Sequence, residues 1–353
     1  MKIKKINYER YHLKLKQPYT IAYETIGFSV NYILQIETDE LFTGLGCASP
    51  DLEVTGETDE QVEFAIQNTI IPFLLGKNPL NYIRLLHELK PLLPHQSSAL
   101  AMVDMALFDL FAKKSQVPLY KFLGGYRKSI HTSITIGILP LKETIEQIVD
   151  FRKNGFTIMK LKGGMNLAEY IEKVIRINEL FPDLILRFDA NQGYSLAEAL
   201  SFFDQTKHVG IQIFEQPTKI EYSYKLGEIT KNIAIPVMAD ESLKSLTDAF
   251  HLAKNGLIDM INIKLMKVGG ILEAKHINSV AKSAQIEVMV GCLDECALGI
   301  SAGLHFALSR PNVEYADLDG HLEFENDPFK DLFQLKKGVL RPNNQPGLGL
   351  ASL

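Results

Sequence analysis

Short apolar runs alternate with amphipathic stretches at an even interval between residues 130 and 320. Eight of these runs are almost continuously hydrophobic, as strands covered on both faces are, and their carboxyl ends follow one another at 24 to 27 residues. The predicted strands cover residues 132–136, 158–162, 184–189, 211–215, 236–239, 260–264, 286–290 and 313–317. A βα unit of this length repeated eight times predicts an α/β fold, a closed (β/α)8 (TIM-like) barrel. A doubly wound open sheet is the alternative, but eight regular units without a long crossover favour closure.

Helix start and stop signals agree with this interval. Ser195 with Glu198 forms a capping-box pattern, and Ser245 with Asp248 repeats it with a shorter acid. Gly155 and Gly256 follow helical stretches at the place where a left-handed residue ends a helix. We therefore expect a helix between each pair of barrel strands.

The first 125 residues have a different pattern. Strands are predicted over 2–15, 29–38 and 41–47, the last two as a hairpin, and helices over 57–75, 79–90 and 97–115. This pattern is typical of an α+β domain. We expect three parts: an α+β domain over 1–125, the barrel over 126–320, and a C-terminal segment over 321–353 that returns to the first domain.

Composition excludes several classes of protein. The 353 residues carry 42 acidic and 37 basic side chains, a net charge of −5, which argues against nucleic-acid binding. No apolar run approaches the roughly 18 residues of a membrane span. The chain has 3 cysteines and no apolar leader after Met1, so we expect a cytoplasmic protein without a disulfide framework.

Charged residues lie at the carboxyl ends of six of the eight predicted strands. The carboxyl ends of barrel strands meet at one rim, which is where barrel enzymes place their catalytic groups. The residues at this rim are Lys160, Lys162, Asp189, Glu215, Asp240, Lys264, Asp317 and Asp319. This clustering predicts an active site at the carboxyl rim.

Three acids at adjacent strand ends predict a metal site. Asp189, Glu215 and Asp240 end the third and fourth strands and follow the fifth. Hard carboxylate oxygens suit Mg²⁺, with Mn²⁺ as an alternative, whereas zinc favours histidine and cysteine. The competing interpretation is that each acid caps the helix that follows its strand.

Two lysines at opposite strand ends indicate the type of reaction. Lys162 ends the second strand and Lys264 the sixth, so they face each other across an eight-stranded ring. Two such bases on opposite faces of a substrate suit a racemase or an epimerase. Lys160 lies two residues before Lys162, so both lysines share one face of the strand, and its charge would lower the pKa of Lys162. The alternative is that Lys160 and Lys162 form a solvated strand end.

Several ordered motifs carry a resemblance that spans nearly the whole chain. They are Lys160-x-Lys162, Asp189-x-Asn191, Glu215, Asp240-Glu241 and Lys264, with Ala106-Leu107-Phe108-Asp109 and the segment 118–125 in the first domain. This set resembles the enolase superfamily, muconate-lactonizing subgroup. The resemblance implies that the first domain caps the barrel. It also implies a divalent metal on the three acids, and Lys162 and Lys264 as the acid/base pair that inverts a carbon centre through a metal-stabilised enediolate.

Asp317-x-Asp319 resembles the dipeptide epimerases of that subgroup, in which the pair receives the substrate's ammonium. Two carboxylates at one strand end need a cation, and a peptide amino terminus supplies one. Asp319-Gly320 could instead be a simple turn. The resemblance also implies that Thr135, Leu293 and Asp294 line the substrate, and we expect Lys160 to contact the substrate as well.

When the resemblance is aligned around Gln17-Pro18-Tyr19, it places Glu24 where the L-Ala-D/L-Glu epimerases have an arginine for the acidic side chain of the substrate. Because Asp51 and Asp294 add further negative charge, we expect neutral or cationic dipeptides to be preferred over acidic ones. The alternative is that Glu24 faces solvent.

Four functions compete at this stage. A dipeptide epimerase acting on the α-carbon of the C-terminal residue is favoured, and we expect it to form a homo-oligomer. A cycloisomerase or o-succinylbenzoate synthase of the same subgroup would not need Asp317-x-Asp319. A Schiff-base lyase would need no metal, and a barrel kept only for binding would lack a base or a ligand.

Overall fold

The computed structural model describes residues 1–20 and 25–350. In these ranges the first domain contains one antiparallel sheet of three strands, in the order β1-β2-β3. The strands are β1 Ile3–Thr20, β2 Thr25–Thr38 and β3 Thr43–Ala48. The first two are longer than predicted, because their backbones stay paired beyond the last residues that alternate into the core. Residues 21–24, with the predicted contact residue Glu24, lie outside the described residues.

Helices cover this sheet. They are α1 Asp59–Ala65, a π turn Ile66–Ile70, α2 Ile71–Leu74, a 3-10 turn Pro79–Asn81, α3 Tyr82–Leu89, a 3-10 turn Lys90–Leu92, α4 Ser97–Lys114 and α5 Leu119–Phe122. Helix α4 is buried along almost its whole length. It approaches β3 closely because Gly44 and Gly46 lack side chains: a Cβ on Gly46 would lie 1.8 Å from the carbonyl oxygen of Met102.

Eight parallel strands of the described chain form the barrel, in strict sequence order. After the short β4 Ile130–His131 they are β5 Ile134–Ile136, β6 Ile158–Lys162, β7 Ile185–Asp189, β8 Ile213–Glu215, β9 Val237–Ala239, β10 Met260–Lys264, β11 Glu287–Gly291 and β12 Val313–Asp317. An isolated bridge between Thr132, which lies just before β5, and Ala316 of β12 connects the two ends of the sheet. The predicted barrel is confirmed, and the open-sheet alternative is wrong because successive strands are neighbours throughout.

The barrel helices surround the strands. They are α6 Leu141–Lys153, α7 Leu167–Leu180, α8 Leu196–Thr206, α9 Ser223–Asn232, α10 Leu246–Lys254, the short α11 Leu265–Val268, α12 Ile271–Ser283 and α13 Ala297–Leu308, with 3-10 turns Ile220–Tyr222 and Gly320–Glu323. The predicted capping box of Ser195 and Glu198 is present, and Ser245 accepts from the amide of Asp248. Gly155 and Gly256 have φ of 84° and 60°, as the stop signals predict.

The C-terminal segment contacts both parts of the molecule. Its hairpin, β13 Phe333–Lys336 and β14 Val339–Pro342, pairs with β4, the short strand that precedes the first barrel strand. Farther along, the amide of Leu348 donates to Asp109 Oδ1 at 2.7 Å in α4. The boundaries at 125 and 320 remain predictions.

The first domain is anchored on the barrel by buried polar groups. Asp104 of α4 accepts from the amides of Ile271 and Leu272 at the start of α12. Cys47 and Cys296 bring their sulfurs to 3.6 Å across the same boundary, and all three cysteines, which lie inside the described ranges, are free thiols. Within the part of the chain that the structure covers, no helix has the length and apolarity needed to cross a membrane.

Candidate active site

The three predicted metal ligands lie together at the carboxyl rim. Asp189 and Glu215 are the last residues of β7 and β8 and are direct register partners, and Asp240 follows β9. Each offers an oxygen within 4.8 Å of the others, and all three residues are buried. The parallel register therefore converts three distant acids into one cluster.

Within the part of the chain that the structure describes, four lysines form ion pairs with these three acids. Lys160 Nζ lies 3.0 Å from Asp189, 2.8 Å from Glu215 and 3.0 Å from Asp317. Lys162 Nζ lies 2.9 Å from Asp189 Oδ2, and Lys264 Nζ lies 2.7 Å from Asp240 Oδ2. The fourth cation, Lys267, contacts the other oxygen of Asp240. Both predicted bases thus lie at the rim beside the acids.

The pKa values of the three acids diverge. Burial acts to raise the pKa of Asp189 and of Asp240, but the adjacent lysines outweigh it and hold both below the usual range. Burial and the charge of Asp189 raise the pKa of Glu215 to about 7. The pKa of Lys264 is raised because the charge of Asp240 outweighs the effect of burial. Asp189 and Asp240 are therefore charged carboxylates balanced by adjacent lysines, and Lys264 beside them is protonated.

The donor set fits a hard divalent cation. Three carboxylates without histidine or cysteine are the ligands expected for Mg²⁺. Asn191 and Glu241 line a cavity at this rim, and Asn191 Oδ1 and Glu241 Oε2 are buried without a hydrogen-bond partner among the described residues. Unsatisfied oxygens beside an acidic cluster suit a hydrated cation.

A cavity of about 620 Å³ opens above this cluster, between the rim and the first domain. Lys162 and Lys264 line it, as do the predicted substrate residues Thr135, Lys160, Leu293, Asp294, Asp317 and Asp319. The first domain contributes Lys16, Gln17, Asp51 and Val54. The predicted contact of Glu24 lies outside the described residues.

Asp317 and Asp319 are in different electrostatic surroundings. Asp317 accepts from Ser133 Oγ at 2.6 Å and from Lys160, and these groups lower its pKa to about 2 against the effect of burial. Asp319 accepts from the amide of Thr135 at 2.6 Å, while burial and the charge of Asp317 raise its pKa to about 7. A cation that enters the cavity would therefore stabilise the charged form of Asp319 more than that of Asp317.

The loop after β11 is held in place by the first domain. The carbonyl oxygen of Asp294 accepts from Ser29 Oγ at 2.7 Å, Asn31 Nδ2 at 3.1 Å and Ser49 Oγ at 2.9 Å. This network fixes the backbone on which Leu293 and Asp294 face the cavity.

The residues that support the acids were not assigned roles from the sequence. Asn262 Nδ2 donates to Glu215 Oε1 at 2.8 Å, and Lys267 contacts Asp240. Lys267 is followed by Val268, Gly269 and Gly270, and the two glycines, with φ of 93° and 107°, form a tight turn. The only signal in the sequence was the spacing of Lys267 three residues after Lys264.

Known families match both parts of the chain. Residues 5–124 match the N-terminal domain of mandelate racemase / muconate lactonizing enzyme, and residues 143–352 match the enolase C-terminal domain-like family. The chain belongs to the mandelate racemase / muconate lactonizing enzyme family of the enolase superfamily. The resemblance drawn from the rim motifs is thereby confirmed.

Individual relatives in this family are similar over nearly their full length. The L-Lys-D/L-Arg epimerase of Desulforapulum autotrophicum is 42% identical, with 99% of each chain covered. The structure of the substrate-liganded L-Ala-D/L-Glu epimerase of Bacillus subtilis superposes with a TM-score of 0.96 at 35% identity, covering 99% of this chain and 98% of that one. The dipeptide epimerase of Methylococcus capsulatus, complexed with Mg and L-Arg-D-Lys, has a TM-score of 0.94 at 36% identity and 99% coverage of both chains.

Proposed function

We propose that this protein is a Mg²⁺-dependent dipeptide epimerase that inverts the α-carbon of the C-terminal residue of its substrate. The observation that carries the proposal is the position of Lys162 and Lys264 at the ends of β6 and β10, four strands apart in the ring. Both lysines line the cavity, with the three acids on the arc between them. The full-length relatives named epimerases support the same activity.

The two lysines divide the proton transfer. One lysine accepts the α-proton from its face of the substrate, and the other donates a proton to the opposite face. Lys264 is charged where it contacts Asp240, so it is poised as the donor in one direction. When bound by Asp189, Glu215 and Asp240, the divalent cation supplies stabilisation of the negative charge that develops at the substrate carboxylate.

Asp319 is the group that recognises a dipeptide. Its buried carboxylate lines the cavity and accepts from the amide of Thr135 and the thiol of Cys292. The ammonium of Lys160 donates to Asp317 instead. A substrate ammonium would place a positive charge beside Asp319. The substrate of a cycloisomerase or an o-succinylbenzoate synthase carries no such ammonium, so this feature favours the epimerase.

We further propose that the substrate side chains are neutral or cationic. Asp51, Asp294 and Glu323 line the cavity, and burial together with the charge of Asp294 raises the pKa of Glu323. An acidic side chain would meet this negative charge, whereas lysine or arginine would be attracted. The relatives from Desulforapulum autotrophicum and Methylococcus capsulatus named L-Lys-D/L-Arg epimerases agree with this preference.

The activity is tested with a small dipeptide set in D₂O with Mg²⁺. Proton NMR should show the α-proton signal of the C-terminal residue disappearing as the second epimer forms. Turnover of L-Lys-L-Arg should exceed that of L-Ala-L-Glu. Faster epimerisation of L-Ala-L-Glu would refute the preference, and the absence of exchange in every dipeptide would refute the epimerase. The homo-oligomeric state and the cytoplasmic location remain predictions, and light scattering of the purified protein tests the first.

A further inference from the structure

Lys267 is a buried lysine that the proposed proton transfer does not use. It lies on α11, three residues after Lys264, and is 1% exposed. Its Nζ donates to the carbonyl oxygen and to Oδ1 of Asp240, and at 3.2 Å to the carbonyl oxygen of Asn262. Three acceptors use all three ammonium hydrogens, so the side chain is fully committed. The residues that line the cavity do not include Lys267.

The three acids share one arrangement of their oxygens. In each acid, one oxygen is held by a neighbouring protein donor: Asp189 Oδ1 by the amide of Asn191, Glu215 Oε1 by Asn262, and Asp240 Oδ1 by Lys267. The second oxygen of each acid contacts the ammonium groups that line the cavity. Lys267 therefore occupies the supporting place that an amide fills at the other two acids.

Asp240 needs this support more than the other two acids. Asp189 and Glu215 belong to strands whose ladders fix their backbones, whereas Asp240 follows the end of β9. Its amide donates to Gln216 Oε1 at 3.0 Å, and Lys267 holds both its carbonyl and its carboxylate. These contacts select one rotamer and leave Oδ2 toward Lys264 and the cavity.

We propose that Lys267 is a positioning residue for the metal site: it fixes the carboxylate of Asp240 so that Oδ2 is presented to the cation. The inference rests on the proposed function only in requiring that the three acids bind a divalent ion. Supporting contacts of this kind change metal affinity by about 10 to 100-fold in other proteins.

A purely electrostatic role predicts the opposite effect. A cation close to Asp240 repels a divalent ion, so if Lys267 served only to balance charge, its removal would tighten metal binding. Lys264 is the matched comparison, because it is a cation on the same carboxylate but on the oxygen that faces the cavity. The two lysines therefore distinguish support from charge.

The test measures Mn²⁺ binding to the metal-free, full-length protein by electron paramagnetic resonance of free Mn²⁺, without any turnover. We expect Lys267→Met to raise the Kd by about 10 to 100-fold, and Lys264→Met to leave it unchanged or lower. Lys267→Gln, which keeps a shorter neutral donor, should lie between wild type and Lys267→Met, and it provides the measurement if Lys267→Met does not fold. In turnover assays, the Mn²⁺ concentration for half-maximal rate should rise in the Lys267 variants in step with the measured Kd.

Folded Lys267 variants that bind Mn²⁺ as tightly as wild type, or more tightly, would overturn the positioning role while leaving the epimerase proposal intact. A wild-type protein that binds no Mn²⁺ would overturn the metal site itself, and with it both proposals.

Discussion

Lys160 donates to Asp317 at 3.0 Å, so one member of the Asp317-x-Asp319 pair already has a cationic partner inside the protein. Asp319 is 5% exposed and lies beside a charged acid rather than a base. The ammonium of a substrate is therefore expected to depend chiefly on Asp319.

Replacing Asp319 by Asn should impair recognition of the substrate amino terminus. Asn keeps an oxygen for the amide of Thr135, so the fold should be retained. We expect kcat/KM to fall by at least about 30-fold, equivalent to about 2 kcal/mol for a truncated buried charge pair. An N-acetyl dipeptide, which lacks the ammonium, provides the control: wild type should discriminate strongly against it and the variant should not. Equal discrimination in both proteins would contradict the assignment of Asp319.

Much of this site could be predicted from the sequence, because the carboxyl ends of parallel strands converge at one rim. Lys162, Asp189 and Glu215 are each the last residue of a strand, and they are register partners at the same level of the barrel. The pairing of Lys160 with Asp317 could not be predicted, since it joins β6 and β12, which come close, with β5 between them, only after the ring closes. Lys267 was missed for a related reason. A lysine one turn into a helix is usually solvated, and only the packed structure shows that it is buried.

Asp294 should contribute to side-chain preference. Asp294→Asn keeps the carbonyl that Ser29, Asn31 and Ser49 hold, so the loop should stay in place. We expect kcat/KM for cationic dipeptides to fall by about 3 to 10-fold, the equivalent of about 1 kcal/mol, with little change for uncharged ones. Asp204→Asn, at an exposed acid on the outside of the barrel, is the matched control. A uniform loss across all dipeptides would show that Asp294 does not select by charge.

His305 makes the stability of the fold dependent on pH. It is buried in α13, its Nδ1 accepts from the amide of Tyr120 at 2.9 Å, and burial lowers its pKa to about 3. Below about pH 6.5 the unfolded chain binds a proton that the native state does not, so the free energy of unfolding falls as the pH drops toward 3. This histidine alone should cost about 2 kcal/mol between pH 7 and pH 5.

The measurement compares urea unfolding of wild type and His305→Asn at pH 7 and pH 5. Asn can present an oxygen where Nδ1 accepts and does not titrate, so the variant should lose about 2 kcal/mol less than wild type over this interval. Equal losses in the two proteins would mean that His305 is protonated in the native state.

Chelation separates the metal-dependent reaction from a Schiff-base alternative. Treatment with EDTA should abolish epimerisation, and added Mg²⁺ should restore it. Mg²⁺ at 100 times its Kd should also stabilise the fold by about 2.7 kcal/mol, which a rise in Tm would report. Activity that survives complete removal of the metal would exclude a role for Asp189, Glu215 and Asp240 as metal ligands.

The opposed positions of Lys162 and Lys264 are tested most directly by isotope exchange in single-base variants. Lys162→Ala and Lys264→Ala are each incubated with Mg²⁺ in D₂O with either epimer of one dipeptide, and Lys231→Ala, at an exposed lysine of α9, serves as the control. We expect both variants to lose epimerisation and each to exchange the α-proton of only one epimer, a different one in each variant, because each remaining lysine reaches one face. Exchange of the same epimer by both variants would contradict the two-base arrangement.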